Sequence, residues 1–277
     1  MKNILVPTDF SEAAKRAGIY ALQLAQQLHA EKIVLYNAYQ QPVATDASMT
    51  PVELINFDDI REISNTGLEH FKTVLQTHAA EGVTLETVGE YITLADGWRD
   101  IAESKQIDLI VMGVTGGGKL DEVLIGSNAV NVAKHSTIPV IVVPPGTAFS
   151  SIKNVMLACD FKQVVETTPV GAIKHILDET RAKLFVLNID HGNKNFSPDT
   201  PFESLMLDTL FYGYEPQYHF VDSTDFVEAI NSFAVDNNID LIITIPKKHG
   251  FFEGLFKRSH TKQLAFHSHV PLMVVHD

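Results

Sequence analysis

The sequence contains a single cysteine, Cys159, among 277 residues. One thiol cannot form an intramolecular disulfide, and such cysteine usage is typical of a reducing compartment, so we expect a cytoplasmic location. Cys159 ends an apolar segment, which predicts a buried, inert thiol rather than a nucleophile. The sequence also lacks any apolar run long enough to cross a bilayer, and Met1 leads directly into a strand pattern. We therefore expect neither a transmembrane helix nor a signal peptide.

Cationic side chains are also scarce. The chain has 21 Lys and Arg against 34 Asp and Glu, which gives a net charge of −13. This charge argues against nucleic acid or anionic membrane as the main partner. It also means that a bound phosphate would have to be held by local groups, because the overall field repels it. The length and the 45% hydrophobic content are typical of a globular protein of about two domains.

Apolar runs that are typical of buried strands alternate with segments of helical periodicity. The predicted strands of the first half are 3–6, 33–36, 83–92, 109–112 and 139–143. Helical spacing follows Ser11, which is a good N-cap, and recurs from Pro51 to about Ala80 and from Ala95 to Ser104. This rhythm predicts a doubly wound α/β domain with a parallel sheet and helices on both faces.

The strand and helix pattern of the first half recurs in the second half of the chain. The matched segments are 4–9 with 155–160, 32–37 with 183–188, 107–110 with 239–242, and 139–143 with 271–275. The first two pairs are 151 residues apart and the last two are 132 apart, so the second copy is 19 residues shorter. A linker signal, Pro144 to Thr147, lies between the copies. We predict two tandem domains, 1–146 and 151–277.

A glycine-rich stretch separates the fourth strand from the next helix. Its spacing is Gly113, two residues, Gly116, nine residues, and then Gly126-Ser127. Glycines permit a close backbone approach, and the first amides of a helix lack intrahelical partners and carry positive partial charge. The stretch is therefore either a phosphate site or an ordinary glycine-rich turn.

Other familiar motifs fit less well. A P-loop needs Ser or Thr where Leu120 stands, and the dinucleotide fingerprint needs glycine where Asp121 stands. His267 and His269 could bind a transition metal, but no further ligand stands at a recognisable spacing, and histidines are common in loops. No metal site is predicted.

Several features together resemble the universal stress protein family. They are VPTDFSE at 6–12, Met112-Gly113 at the end of the fourth strand, the glycine spacing, and PVIVV at 139–143. The resemblance covers nearly the whole chain as two tandem domains. It implies in each domain a five-stranded parallel sheet of order 3-2-1-4-5. In that order the first and fourth strands are neighbours, and a ligand crevice forms at their carboxyl ends.

The resemblance also implies an adenine-nucleotide site in the first domain, for ATP or for ADP or AMP, where Mg²⁺ could accompany the phosphates. The implied adenosine and ribose residues are Pro7, Thr8, Asp9, Ala38, Met112 and Gly113. The implied phosphate residues are Thr115, Gly116, Gly126, Ser127 and Asn128. Asp9 either accepts hydrogen bonds from the ligand or only closes a turn. Thr115 departs from the family, since some nucleotide-binding members have arginine there.

The second copy lacks the three glycines. Ile245, Lys248 and Arg258 stand at their positions, and only the hydroxyl is kept, as Ser259. Side chains at the first two positions would crowd a close backbone approach. We therefore predict that the second domain is degenerate.

The resulting hypothesis is a stress-response protein that binds an adenine nucleotide in its first domain as a regulatory ligand. Two alternatives stay open: a slow ATPase or phosphotransferase that uses the same pocket, and a nucleotide-free scaffold for protein partners. The sequence places no general base near the phosphates, so we expect any hydrolysis to be slow. We also expect the closing strands to pair the two domains within the chain. Two chains could then associate as a homodimer.

Overall fold

The computed structural model describes residues 1–41, 56–79, 82–114, 127–192, 198–246 and 270–276. The elements of the first half are β1 (Asn3–Pro7), α1 (Glu12–Gln27), β2 (Lys32–Tyr39), α2 (Phe57–Gln76), β3 (Thr84–Tyr91), α3 (Leu94–Ser104), β4 (Leu109–Gly113), α4 (Ser127–His135) and β5 (Val140–Val143). Those of the second half are β6 (Asn154–Ala158), α5 (Val164–Thr167), α6 (Val170–Thr180), β7 (Lys183–Asp190), α7 (Thr200–Leu210), β8 (Gln217–Asp222), α8 (Phe226–Asp236), β9 (Leu241–Thr244) and β10 (Leu272–Val274).

The described strands form one sheet, in the order β3-β2-β1-β4-β5-β10-β9-β6-β7-β8. Within each half the neighbours are parallel, in the predicted order 3-2-1-4-5. The halves meet where β5 and β10 pair antiparallel, through residues 140–142 and 272–274. The predicted fold class, two tandem doubly wound α/β domains with helices on both faces, is confirmed.

The sheet lies between two apolar layers. In β1, Ile4 and Val6 pack into the layer that contains α1 and α2, whereas Leu5 packs into the layer that contains α3 and α4. The alternation follows because successive side chains of a strand point to opposite faces of the sheet. Because both faces are covered, the strand is an unbroken apolar run in the sequence.

The helix starts depend on capping side chains. α1 begins as predicted, because Ser11 Oγ accepts a hydrogen bond from the amide of Ala14 at 3.2 Å. The prediction that α2 starts at Pro51 is wrong, since the helix begins at Phe57. Asn56 is extended, with φ −64° and ψ 145°, and its side chain caps the helix. The helix therefore has its N-cap at Asn56, and Pro51 lies outside the described residues.

The two halves contain equivalent side-chain hydrogen bonds. Asp108 Oδ2 accepts bonds from the amides of Lys2 and Asn3, at 2.7 and 3.0 Å. In the second half, Asp240 Oδ2 accepts equivalent bonds from the amides of residues 153 and 154, at 2.8 and 3.0 Å. In both halves this carboxylate joins the start of the first strand to the turn before the fourth.

Side chains of α1 also join the two halves. Gln27, the last residue of α1, donates to the carbonyl of Ile152 and accepts from its amide, both at 2.8 Å. Tyr20 packs edge to face against Phe149, with ring centroids 5.2 Å apart. Ile152 is fully buried, so its backbone groups require partners within the protein. α1 thus extends from the carboxyl ends of the strands to the junction between the halves.

Cys159 follows β6 and is buried, with Sγ accepting a 3.4 Å hydrogen bond from the amide of Phe161. The expected burial of this thiol is confirmed. In the described ranges, none of the helices has both the length and the apolar character needed to cross a bilayer.

Candidate functional site

The carboxyl ends of β1 and β4 border a crevice of about 120 Å³. The two strands are neighbours, paired through Ile4 with Leu109 and Leu5 with Ile110. β1 continues into α1 on one face of the sheet, and β4 leads toward α4 on the other. Because the chains diverge in opposite directions, a gap opens at this edge.

The crevice gathers much of the predicted site. Seven predicted residues line it: Pro7, Thr8, Asp9, Ala38, Met112, Gly113 and Asn128. Six lining residues were not predicted: Ser11, Ala13, Ala14, Tyr36, Leu94 and Ala129. Thr115, Gly116 and Gly126 lie outside the described residues, and so does the side chain of Ser127, whose backbone begins α4. The described crevice therefore contains the predicted adenosine end and, from the predicted phosphate end, only the start of α4.

The backbone of Thr8 is held by β2. Its amide donates to the carbonyl of Tyr36, and its carbonyl accepts from Asn37 Nδ2, both at 2.8 Å. Asn37 is fixed in turn by Ser64 Oγ at 2.7 Å. Thr8 Oγ1 accepts a 2.9 Å bond from the amide of Phe10. Its hydroxyl donates to no group in the described part of the chain, so it can donate to a ligand.

Asp9 closes a turn and also retains an accepting oxygen. Its Oδ1 accepts a hydrogen bond from the amide of Ser11 at 3.0 Å, which is the turn geometry that the sequence allowed. The side chain is exposed at the crevice. Within the described part of the chain, Asp9 Oδ2 makes no hydrogen bond, so this atom can accept from a ligand.

Gly113 is required by packing within the protein. A Cβ built at this position would lie 2.1 Å from the carbonyl oxygen of Ala13 and 2.5 Å from its carbonyl carbon. The first turn of α1 therefore passes directly over the end of β4. Packing against Ala13 is a reason for glycine here that the sequence argument did not include. Gly113 also lines the crevice, so the predicted approach of its backbone to a ligand stays a prediction.

The described crevice is poor in charge. Asp9 is the one charged side chain among its described lining residues, and none of them is cationic. Positive partial charge comes instead from α4, because its first amides lack intrahelical partners and lie at the positive end of the helix dipole. Asn128, in this first turn, is exposed and adds an amide donor. The start of α4 is therefore the part of the crevice that best suits an anion.

The hydroxyl of Tyr36 is already used by the protein. It donates to Glu90 Oε2 at 2.7 Å. Burial raises the pKa of Tyr36 well above the ordinary tyrosine value, and the hydrogen bond to Glu90 and the charge of that carboxylate act in the same direction. Tyr36 consequently stays neutral, and its hydroxyl is committed to Glu90 rather than to a ligand.

In the second half, side chains fill the equivalent strand ends. Ile245 stands at the position of the fourth-strand glycine and belongs to the apolar core. Cys159 and Thr244, at the ends of β6 and β9, are also buried. Glu203 Oε2 accepts a 2.8 Å hydrogen bond from the amide of Val164, so a carboxylate lies at the start of the first helix after β6. These contacts support a degenerate second site.

The remaining candidates cannot be placed. Lys248, Arg258 and Ser259 lie outside the described residues, as do His267 and His269. Among the residues that the structure describes, no group of three or more His, Cys, Asp or Glu side chains is arranged to hold a metal ion.

The unpredicted lining residues come mainly from helix starts. Ala13 and Ala14 lie in the first turn of α1, and Leu94 begins α3. The available signal was the Ser11 cap followed by two alanines, because small side chains at a helix start leave room at the adjacent strand ends. Leu94 carried no such signal, since its position depends on how α3 packs over β2.

Comparison with known proteins agrees with this architecture. The model of the universal stress protein family matches residues 1–144 and again residues 152–276. The chain therefore belongs to the universal stress protein family, with two copies of its domain in tandem.

Individual relatives show the same relationship. Universal stress protein MJ0531 of Methanocaldococcus jannaschii is 32% identical over 142 residues, which are 51% of this chain and 81% of that protein. Universal stress protein YxiE of Bacillus subtilis is 31% identical over 144 residues, which are 50% of this chain and 97% of that protein. A crystal structure of a universal stress protein from Archaeoglobus fulgidus covers 99% of this chain and 98% of its own, with a TM-score of 0.70 and 19% identity. At that identity the likeness shows the fold alone.

Proposed function

We propose that the first half of the chain binds an adenine nucleotide, ATP or its relatives ADP and AMP, as a regulatory ligand. The second half is then a degenerate partner domain. The observation that carries the proposal is that one crevice unites the ends of β1, β2 and β4 with the first turn of α4. Family membership supports it, because the family resemblance implies an adenine-nucleotide site at these positions.

The proposed adenosine end lies at β1 and β2. Asp9 Oδ2 offers an acceptor, and the Thr8 hydroxyl offers a donor. Ala38, Leu94 and Met112 supply apolar surface, which suits the faces of a purine ring. A few polar groups on an apolar wall are what orients a small ligand.

The proposed phosphate end lies at the start of α4. Its free amides and the Asn128 side chain donate toward an anion. We extend this end to Thr115, Gly116, Gly126 and Ser127 from the glycine spacing. Mg²⁺ would be held chiefly by the phosphates and water, since Asp9 is the sole carboxylate of the described lining.

The described lining offers no general base beside the proposed phosphate end. A general base must lie within hydrogen-bond reach of the attacking water. Asp9, the one titratable carboxylate of the described lining, lies at the proposed adenosine end rather than at α4. The nucleotide would act by stabilising one arrangement of the chain over another, through different affinities for the two.

Calorimetric titration with ATP tests the proposal, and we expect about one site per chain. Asp9→Ala should weaken binding about tenfold or more, as expected for loss of a hydrogen bond to a charged group. Asp9→Asn keeps the side-chain oxygen that accepts from the Ser11 amide, so the turn is preserved. A loss of ATP affinity in this variant is therefore due to the lost contact with the ligand and not to an altered turn. Asp58→Asn is the matched control, because Asp58 is exposed on α2 and pairs with Arg61 at 2.9 Å. Two equivalent sites per chain, or no binding, would contradict the proposal.

Several expectations from the sequence stay predictions. They are the domain limits 1–146 and 151–277, the cytoplasmic location, the protein partner and the homodimer.

A further inference from the structure

The described crevice poses a charge problem for any nucleotide. Its one charged lining residue is Asp9, which is negative, and the whole chain carries −13. Helix amides supply only partial charge, so a phosphate would gain much from a nearby cation. Two cations follow the crevice-lining turn of α1, namely Lys15 and Arg16. Lys15 Nζ lies 3.9 Å from Glu12 Oε1, and this lysine is partly exposed.

Helical spacing assigns Arg16 to the side of α1 that contains Ala13 and Tyr20. Residues three and four apart share a helix face, so Ala13, Arg16 and Tyr20 lie along one stripe. Ala13 contacts Gly113 at the end of β4. Tyr20 is buried and packs on Phe149, beyond the end of β5. Arg16 is thus placed between the start of the glycine-rich stretch and the junction of the halves.

The direction of α1 carries the Arg16 side chain toward the crevice. α1 starts at the carboxyl ends of the strands and runs back along the sheet, as a crossover helix must. Helical side chains lean toward the N-terminus of their helix and cover the preceding turn. This lean would bring the guanidinium of Arg16 over Ala13, on the side of Gly113. Arg16 itself is not among the described residues that line the crevice.

Arg16 Nε has no hydrogen-bond partner among the residues that the structure describes. This atom is also buried from solvent. No described carboxylate forms an ion pair with Arg16. A buried donor on a charged group is costly when it is unsatisfied, and guanidinium groups match the geometry of phosphate oxygens.

We propose that Arg16 binds the phosphates of the nucleotide at the crevice rim. This rests on the proposed function, and it assigns to α1 a binding residue that the glycine spacing does not include. Arg16 would supply full positive charge where the start of α4 supplies only dipoles. The contact predicts that affinity rises with the number of phosphates.

Titrations with adenosine, AMP, ADP and ATP at one low salt concentration test the proposal. Arg16→Gln should weaken ATP binding about tenfold to a hundredfold, because it removes charged hydrogen bonds. Adenosine affinity should change by less than about twofold. This is clearly smaller than a tenfold loss, which corresponds to about 1.4 kcal/mol. Arg16→Lys should recover part of the ATP affinity, because it restores charge without the planar fork. Lys15→Gln is the matched control and should leave ATP binding nearly unchanged.

Different outcomes refute the role of Arg16 and the nucleotide site itself. Wild type that binds neither adenosine nor ATP would refute the nucleotide site itself. Wild type that binds adenosine and ATP equally, or Arg16→Gln with full ATP affinity, would overturn only the role of Arg16. Equal losses for adenosine and ATP would show that Arg16 acts on the fold and would also overturn it.

The role of Arg16 can also be tested in the wild-type protein, without any substitution. The Nε–H resonance of Arg16, followed by NMR in protein labelled at arginine, should shift with ATP and stay in place with adenosine. The same small shift for both ligands would overturn the proposal.

Discussion

Gly113→Ala tests the tight contact on which the crevice is built. The added Cβ would lie 2.1 Å from the carbonyl oxygen of Ala13. Non-bonded heavy atoms rest at about 3.5 Å, so α1 or β4 must move by about 1 Å or more. Overpacking a core costs about 1–3 kcal/mol. We expect a value near 3 kcal/mol, because the opposing atom belongs to the backbone and cannot rotate away.

The assay is urea unfolding followed by tryptophan fluorescence and by far-ultraviolet circular dichroism, which reports on both halves. Trp98 is the single tryptophan of the chain and is buried in α3, so its emission reports on the first half. The midpoint should fall in Gly113→Ala, and ATP affinity should fall with it, because Ala13 and Gly113 both line the crevice. Gly171→Ala is the matched control.

Gly171 lies in α6, and a Cβ there meets no atom within 4 Å. Alanine at this site should leave stability unchanged or raise it by up to about 1 kcal/mol, because it restricts the unfolded chain. A Gly113→Ala protein that unfolds at the wild-type midpoint would refute the close passage of α1 over β4. A loss of the same size in Gly171→Ala would show that the assay responds to glycine replacement in general.

The remaining predictions concern the junction and the tyrosine beside the crevice. Gln27→Ala should cost about 1–3 kcal/mol in urea unfolding, because it leaves both backbone groups of buried Ile152 without partners; a wild-type midpoint would contradict this. In Tyr36→Phe, the free energy of unfolding should fall less steeply above pH 10 than it does in the wild type. The raised pKa of folded Tyr36 gives stability that is fully present below the unfolded value of about 10 and is lost as pH rises above it. Unfolding free energies of wild type and variant that fall in parallel above pH 10 would contradict this assignment.

Much of the fold follows from local pattern. The strands β1, β2 and β4 are unbroken apolar runs because both faces of the sheet are covered. The repeated offsets identified the second half, and a shared strand order brought residues 9 and 113 to one edge. The offsets need only the chain's own periodicity, whereas the strand order was implied by the resemblance to the universal stress protein family.

What the sequence could not provide depends on contacts between distant residues. The contact of Gly113 with Ala13 joins residues 100 positions apart, so the glycine was attributed to ligand approach instead. Asn56 caps α2 five residues after Pro51, which gave a competing start signal. The Tyr36–Glu90 bond also spans two strands and could not be inferred from either one.

The central claim is that the first half holds the nucleotide and the second half does not. Photolabelling with an azido-adenine nucleotide, followed by peptide mapping, tests it most directly. We expect label on peptides containing residues 7–14, 38, 94 or 112–113, and loss of that label with excess ATP. Label on residues 158–165 or 244–245, with or without label in the first half, would contradict the claim.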